Sequence, residues 1–366
     1  MKVSHPVPSL RVSLLVALIS VVVASCGQEK EDSFSSTLQV PARPGDGYGL
    51  LRTSDSLHII RHISVAGDSL FFEIPWHGLY SMPKYGGEVI PVDHDTNAEF
   101  YGLAASGNQL LWLKAHFDSH DYPDDLLLRR PAAGGASTLL RHGDLNTVTF
   151  NNANAVITDS SHAYIITEST IDVTPVAGGD AETVMLPGTP NGPGLVTVAA
   201  DYPVVYFTTC DVSILRCVLR RADLSGGTSQ VVASVSDYAQ IVGLDGDAVY
   251  LVDGQRLWSV ARANGAETEL VAAASGIHPT LPAALDGQSV YFMGAAVGAE
   301  IPAGRLMSLP KAGGSPTIIG TDARITHNAP SDVVVDDQFV FVLTGQVAAD
   351  DGNEILAFPK TLPPAP

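Results

Sequence analysis

The chain has 366 residues, with 39 Asp and Glu against 20 Lys and Arg, a formal net charge of −19. A field this negative repels phosphate backbones and anionic headgroups, which excludes nucleic acid and direct electrostatic binding to lipid. Hydrophobic residues make up 45% of the chain, and the length suits one large closed all-β domain.

At the N-terminus, Lys2 and Arg11 precede an apolar run over 12–23, then the small residues Ala24 and Ser25. A charged start, a short apolar stretch and a small-residue exit describe an export signal over 1–25. The run is too short for a bilayer-spanning helix, which needs roughly 20 apolar residues. Val23-Ala24-Ser25-Cys26 resembles the bacterial lipobox. That resemblance implies an acylated Cys26 as the first residue of the mature protein. Residues 26–44 read as a flexible tether. Gly27 gives no inner-membrane retention signal, so an outer-membrane or surface address is expected, with the lipid as the sole membrane link.

Over 45–360 a unit recurs: an apolar strand, a tight polar turn, an aromatic-bearing strand, a variable loop, a third strand, a Gly-Gly turn and a fourth strand. The first turns begin at Ala66, Ser106, Asp159, Asp201, Asp245, Asp286 and Asp336. The strands that follow run over 70–74, 110–113, 164–167, 205–208, 249–252, 290–293 and 339–343, rich in Val, Tyr and Phe. Second turns stand at Gly86-Gly87, Gly134-Gly135, Gly178-Gly179, Gly226-Gly227, Asn264-Gly265 and Gly313-Gly314, where positive φ is needed. Seven four-stranded units at this spacing predict a seven-bladed β-propeller. The seventh unit ends after its third strand, before the proline-rich tail 361–366. Gly49-Leu50-Leu51-Arg52 resembles the fourth strand Thr138-Leu139-Leu140-Arg141, so an N-terminal strand is expected to complete the last blade and remove the open sheet edges. Cys210 and Cys217 flank a short connection, and an exported chain points to a disulfide stapling that hairpin; a metal pair is the alternative, without a second ligand pair nearby.

The repeat, roughly Asp-Gly-x-x-Val-Tyr-Phe followed by Gly-Gly, resembles those of exported bacterial propellers of the TolB-like and YWTD-like superfamilies and of bacterial propeller lipoproteins. The shared motif implies the fold and carries no active-site residues.

Short turns occupy one face of such a ring, and connections that differ in every blade occupy the other; variable loops on a rigid scaffold are where binding resides. Eight positions before the first-turn column stand His58, Ala98, Asn151, Pro193, Asp237, His278 and Asn328, with Asn97 and His327 one residue further out. The polar members would ring the channel mouth and hold a small polar ligand or a metal, although loop starts are polar for turn chemistry alone. No cofactor is expected. Ca²⁺ or another divalent ion is the one that the acidic segments 118–125 and 350–354 would take, but neither has calcium-loop spacing and both read as solubilising loops. Gly67-Asp68-Ser69-Leu70 spells a lipase block, yet it falls in the turn column, and nothing nominates a catalytic nucleophile.

The expected function is therefore a non-catalytic, monomeric binding module for a protein, glycan or small ligand. The alternative is a propeller enzyme, a metal-dependent lactonase, lyase or hydrolase at the channel mouth. Cys26→Ala is predicted to release the protein from the membrane fraction into the soluble one on fractionation; retention in the membrane would contradict the lipid anchor.

Overall fold

In each repeat the sequence alternates apolar segments with turn residues, and the apolar segments become strands, of which the second in each blade is the most deeply buried. A computed structural model describes residues 34–35, 46–53, 59–95, 97–117, 123–143, 156–166, 170–185, 197–211, 216–224, 229–236, 239–253, 255–272, 275–296, 305–326, 330–345 and 352–360. Cys26 and Gly226-Gly227 lie outside the described residues, as do the signal and the tail.

The chain is a seven-bladed β-propeller. Blades 1 to 6 are four-stranded antiparallel sheets in simple meander order, with inner strands Ile63–Ala66, Ala98–Ser106, Val156–Thr158, Val198–Asp201, Gln240–Leu244 and Ile277–Leu285. Blade 7 takes Asp332–Val335, Phe339–Leu343 and Glu354–Pro359 from the C-terminal end and Tyr48–Thr53 from the N-terminal end, antiparallel to Glu354–Pro359. The two-residue strand Phe34–Ser35, inside the stretch read as a tether, adds a fifth strand outside it. Each inner strand adjoins the next around all seven seams, the last being blade 7 against blade 1.

The ring closure is densely bonded. Asn353 is 3% exposed; its side chain accepts from the Ile60 N–H at 3.0 Å and donates to the Ile60 carbonyl at 2.7 Å, while its own N–H donates to Thr53 Oγ1 at 2.9 Å. Asp322 accepts from the Gly47 N–H at 3.0 Å, and Arg324 bonds both Asp322 and Glu354. Asn353 and one carboxyl oxygen of Glu354 are thus committed to closure, which corrects the reading of an exposed acidic loop at 353–354; Asp350 and Asp351 lie outside the described residues. Similarly, Asp124 and Asp125 belong to the strand Pro123–Pro131, paired with His116 and Ala115, so the variable connection there is only 118–122.

The first-turn aspartates explain both the turns and the seams. In blades 3, 5, 6 and 7, Oδ1 accepts from two backbone N–H groups of its own turn, as Asp245 does from Asp247 and Ala248, both at 3.0 Å. In blades 3, 5 and 6, Oδ2 accepts from the tyrosine hydroxyl five residues on: Tyr164 on Asp159, Tyr250 on Asp245 and Tyr291 on Asp286, the last two at 2.9 Å. A cation after the third strand of the next blade then reaches back across the seam. Arg262 meets Asp201 at 2.9 Å, Lys311 meets Asp245 at 3.0 Å, Lys360 meets Asp286 at 2.5 Å, and Lys84 meets Asp336 at 2.9 Å, the last closing the ring.

Cys210 and Cys217 form the expected disulfide between the second and third strands of blade 4. Gly67 and Asp68 form the first turn of blade 1 and Ser69 opens its second strand, as the turn reading requires.

The seam cations differ in worth because burial differs. Lys84 is 6% exposed and Asp336 11%, whereas Asp201 is 53% exposed. Removing one partner of a buried pair leaves an uncompensated charge and costs about 3–5 kcal/mol, while exposed pairs contribute about 0–1 kcal/mol. Asp336 keeps its two backbone donors, so Lys84→Met is predicted to cost about 2–3 kcal/mol in urea unfolding, and Arg262→Met about 1 kcal/mol or less. Equal costs would contradict the seam argument.

Candidate functional site

The inner strands of all seven blades enclose a channel cavity of about 440 Å³. Its wall is built from residues two to six positions before the first turn. Most of the lining residues are apolar, Ile63, Leu103, Val156, Val198, Ile241 and Val333 among them, yet the surface exposed to the cavity is more polar than apolar; His62, Ser64, Gln240, Ser331 and Asp332 are its polar side chains.

Of the polar residues expected at the channel mouth, Asn97 and His278 lie among the described residues. Asn97 is exposed and precedes its strand, with its N–H bonded to Asp95 Oδ1 at 3.0 Å. His278 lies in the strand Ile277–Leu285 opposite Ala295, and neither residue lines the cavity. His58, Asn151, Asp237, His327 and Asn328 lie outside the described residues. The column that faces the channel is four residues later, and there blades 7 and 1 contribute Asp332 and His62.

His62 lies between two carboxyl groups. Its Nδ1 is 3.9 Å from Asp332 Oδ2 and its Nε2 is 3.8 Å from Glu73 Oε1, both too long for hydrogen bonds. Asp332 Oδ2 accepts from the Ile63 N–H at 3.0 Å across the seam, and Oδ1 from the Val333 N–H at 2.8 Å. Glu73, on the second strand of blade 1, is 1% exposed, and its Oε1 has no hydrogen-bond partner. The nearest full cation, Arg61, is committed to Glu99 at 3.2 Å.

Burial governs all three titrations. It lowers the His62 pKa to about 4, aided by the Arg61 charge. It raises the Asp332 pKa to about 6 against its two backbone donors. It holds Glu73 well above the usual carboxylate range, with Arg61 offsetting part of the effect and the charge of Asp332 adding to it. Blade 4 shows the same two positions satisfied: Thr197 and Thr208 occupy the columns of His62 and Glu73 and bond each other at 3.0 Å, and Thr197 Oγ1 accepts from the Ile241 N–H at 2.9 Å. Among the described residues no three His, Cys, Asp or Glu converge closely enough to hold a metal ion.

Near this cluster, the turn after the second strand of blade 1 holds Trp76 at φ 63° and 48% exposed. A bulky residue in the left-handed region is strained by about 1–3 kcal/mol, and such residues gather at ligand clamps. Trp76 lies on the variable-connection side.

No family model matches the sequence, and no curated protein matches it. Solved structures do. The β-propeller domain of the trilobed protease from Pyrococcus furiosus, described with an open velcro topology, superposes with a TM-score of 0.59 at 9% identity, covering 84% of this chain and 95% of that one. YCF48 bound to D1 peptide gives 0.57 at 12% identity, covering 90% and 100%. A Mycobacterium tuberculosis puromycin-hydrolyzing peptidase gives 0.54 at 11% identity, covering 89% of this chain and 55% of that one. At these identities the likeness is one of fold.

Stability against pH separates His62 from Asp332. A lowered histidine pKa contributes stability that is present above pH 6.5 and lost as pH falls towards 4; a raised aspartate pKa contributes stability present below 3.8 and lost as pH rises through 6. Relative to wild type, His62→Gln should therefore gain stability as pH falls from 6.5 to 4, and Asp332→Asn should gain as pH rises from 4 to 6. Each shift is expected to reach about 1–3 kcal/mol in urea titrations. Parallel profiles for all three proteins would contradict the burial of this pair.

Proposed function

We propose that the protein is a non-catalytic binding module, displayed on the cell envelope through a lipid at Cys26, that takes its ligand at the end of the channel facing the variable connections. The observation that carries this reading is a channel cavity ringed by all seven inner strands, with His62 and Asp332 on its wall and an unbonded oxygen of the buried Glu73 behind His62. Buried polar groups are normally bonded, and an orphaned one calls for a partner. A cavity of this volume with a few convergent polar groups is the form of a small-ligand site. The wide spread of known propellers, one bound to a peptide and another part of a protease, leaves the choice to the site. The enzymatic alternative would draw its metal ligands from the segments around His58, Asn151, Asp237, His327 and Asn328, outside the described residues.

Replacing residues 118–122 or 297–304 with Gly-Ser linkers alters the variable-connection face; substituting Asp68 or Asn108 alters the short-turn face. Affinity capture from envelope extracts is expected to recover a ligand with wild type and with the short-turn variants, and to lose it with at least one linker variant. Recovery that tracks the short-turn variants instead would assign binding to the opposite face.

A further inference from the structure

The seam between blades 2 and 3 keeps a cation but lacks the anion that would meet it. At a regular seam three groups converge: the first-turn aspartate, the tyrosine five residues on, and a cation from the next blade. Here the same positions hold Ser106, Leu111 and Val176. The cation comes from the other side instead. Arg129 stands opposite Leu111 in the third strand of blade 2, where blades 1, 5 and 6 carry Ser81, Ser259 and Ser308. One of its five N–H groups is donated to the Val176 carbonyl across the seam, and among the described residues no carboxylate pairs with it. Asp172, which this seam does carry, is taken by Arg141 at 3.2 Å and by the Thr183 hydroxyl at 2.5 Å. Asp159 is taken by its own turn, by Tyr164 and by the Tyr202 N–H. Blade 4 has Arg221 in the Arg129 column, but its first turn keeps an aspartate, Asp201.

Val176 and Ala177 are short where other blades place a Lys or Arg, and an open groove of about 650 Å³ lies beside them on the short-turn face. Arg129 lines it with Gln109, Thr138 and Ser160, whose side chains make no hydrogen bond among the described residues, and no carboxylate lines it. Ser161, also at the groove, is committed to Asp159 at 3.0 Å and to His162 at 2.8 Å. We infer that this groove is a ligand site separate from the channel, and that it takes a small hydroxylated carboxylate whose carboxyl group supplies the anion missing from the seam. The guanidinium fork matches a carboxylate in a bidentate pair, and its bond to the Val176 carbonyl holds it in place beforehand. One cation in a chain of net charge −19 suits a single negative charge better than the double charge of a phosphate. The amide of Gln109 and the hydroxyls of Thr138 and Ser160 are suited to ligand hydroxyl groups, which a purely apolar acid would not offer them.

The test compares gluconate, sorbitol and inorganic phosphate by isothermal titration calorimetry on the full-length protein, with Arg129→Gln, Ser160→Tyr and Ala283→Met as variants. Ser160→Tyr fills the groove, and Ala283→Met narrows the channel instead. The expected result is saturable one-to-one binding of gluconate, at least tenfold tighter than of sorbitol or phosphate, at least tenfold weaker in Arg129→Gln and Ser160→Tyr, and unchanged in Ala283→Met. Binding lost in Ala283→Met but kept in Arg129→Gln would place the ligand in the channel, overturning this inference while the channel reading stands. Sorbitol or phosphate binding as tightly as gluconate would overturn the carboxylate assignment, and absence of saturable gluconate binding would overturn the site. Should Arg129→Gln fail to fold, the exposed Ser160→Tyr variant and the three probes on wild type still decide the outcome.

Discussion

The aspartate that ends an inner strand is the group on which the ring depends. Its Oδ1 closes the tight turn, its Oδ2 receives the tyrosine hydroxyl from the second strand of the same blade, and a cation from the next blade completes it. Burial pushes the Asp245 carboxyl up, yet Lys311, the turn N–H groups and Tyr250 outweigh it and hold the pKa at about 2; Lys360 does the same for Asp286, which lies lower still. A charge so fixed cannot be moved without breaking the turn, the blade and the seam together. Lys311 and Lys360 also lie over the rings of Tyr250 and Tyr291, at 5.1 and 5.2 Å from their centroids, so the cation is placed by two partners of the preceding blade. In a chain with only 20 basic residues, spending four of them on consecutive seams marks these seams as the means of holding blades in register.

Closure makes a different demand. The last blade is built from both ends of the domain, so its seam must pay a loop-closure entropy that no other blade meets. The bonds there are correspondingly specific. Asn353 satisfies both backbone groups of Ile60, and Thr53 and Asn353 bond one another through side chain and backbone. Gly352 fits because a Cβ there would stand 2.2 Å from Thr53 Oγ1 and 2.3 Å from the Thr53 carbonyl. Lys84 adds the seam between blades 7 and 1, bringing an ammonium to Asp336 where the tyrosine of other blades is replaced by Phe341.

Strand order, the first and second turns, the closing N-terminal strand and the disulfide could be read from the sequence, because each follows from local pattern: period-two apolar segments, Asp and Gly at fixed offsets, and one cysteine pair. The seam cations were in the sequence too, as the Lys or Arg after the third strand, but only the three-dimensional pairing reveals that their partners sit a whole blade away. Alignment on the turn column is sound, and the cavity is lined two to six positions before the turn, so His62 and Asp332 stand on its wall while Asn97 and His278 lie beyond it. Glu73 carried the clearest overlooked signal, a lone charge within Leu70-Phe71-Phe72-Glu73-Ile74. A carboxyl group in such a run is either paired or functional.

The position of the cluster follows from where the repeat is least regular. Blades 1 and 2 carry Ala66 and Ser106 in place of the first-turn aspartate, and blades 2, 3 and 4 carry Ala132, Val176 and Leu224 where the other blades have the seam cation. Their seams are held by other means: Lys114 and Trp112 on Asp93, Arg61 on Glu99, and Ser106 Oγ on the Asp159 carbonyl at 2.6 Å. In the same sector stand His62, Glu73 and Trp76, each in a state that a stability-optimised blade would avoid: a buried base, an orphaned carboxyl oxygen and a bulky side chain at positive φ. Blade 4 demonstrates the alternative, since two threonines in the His62 and Glu73 columns satisfy every group. A ring whose regular seams are over-determined can carry such a sector without losing its shape, and departures of this kind from local consistency are concentrated where a protein meets its ligand.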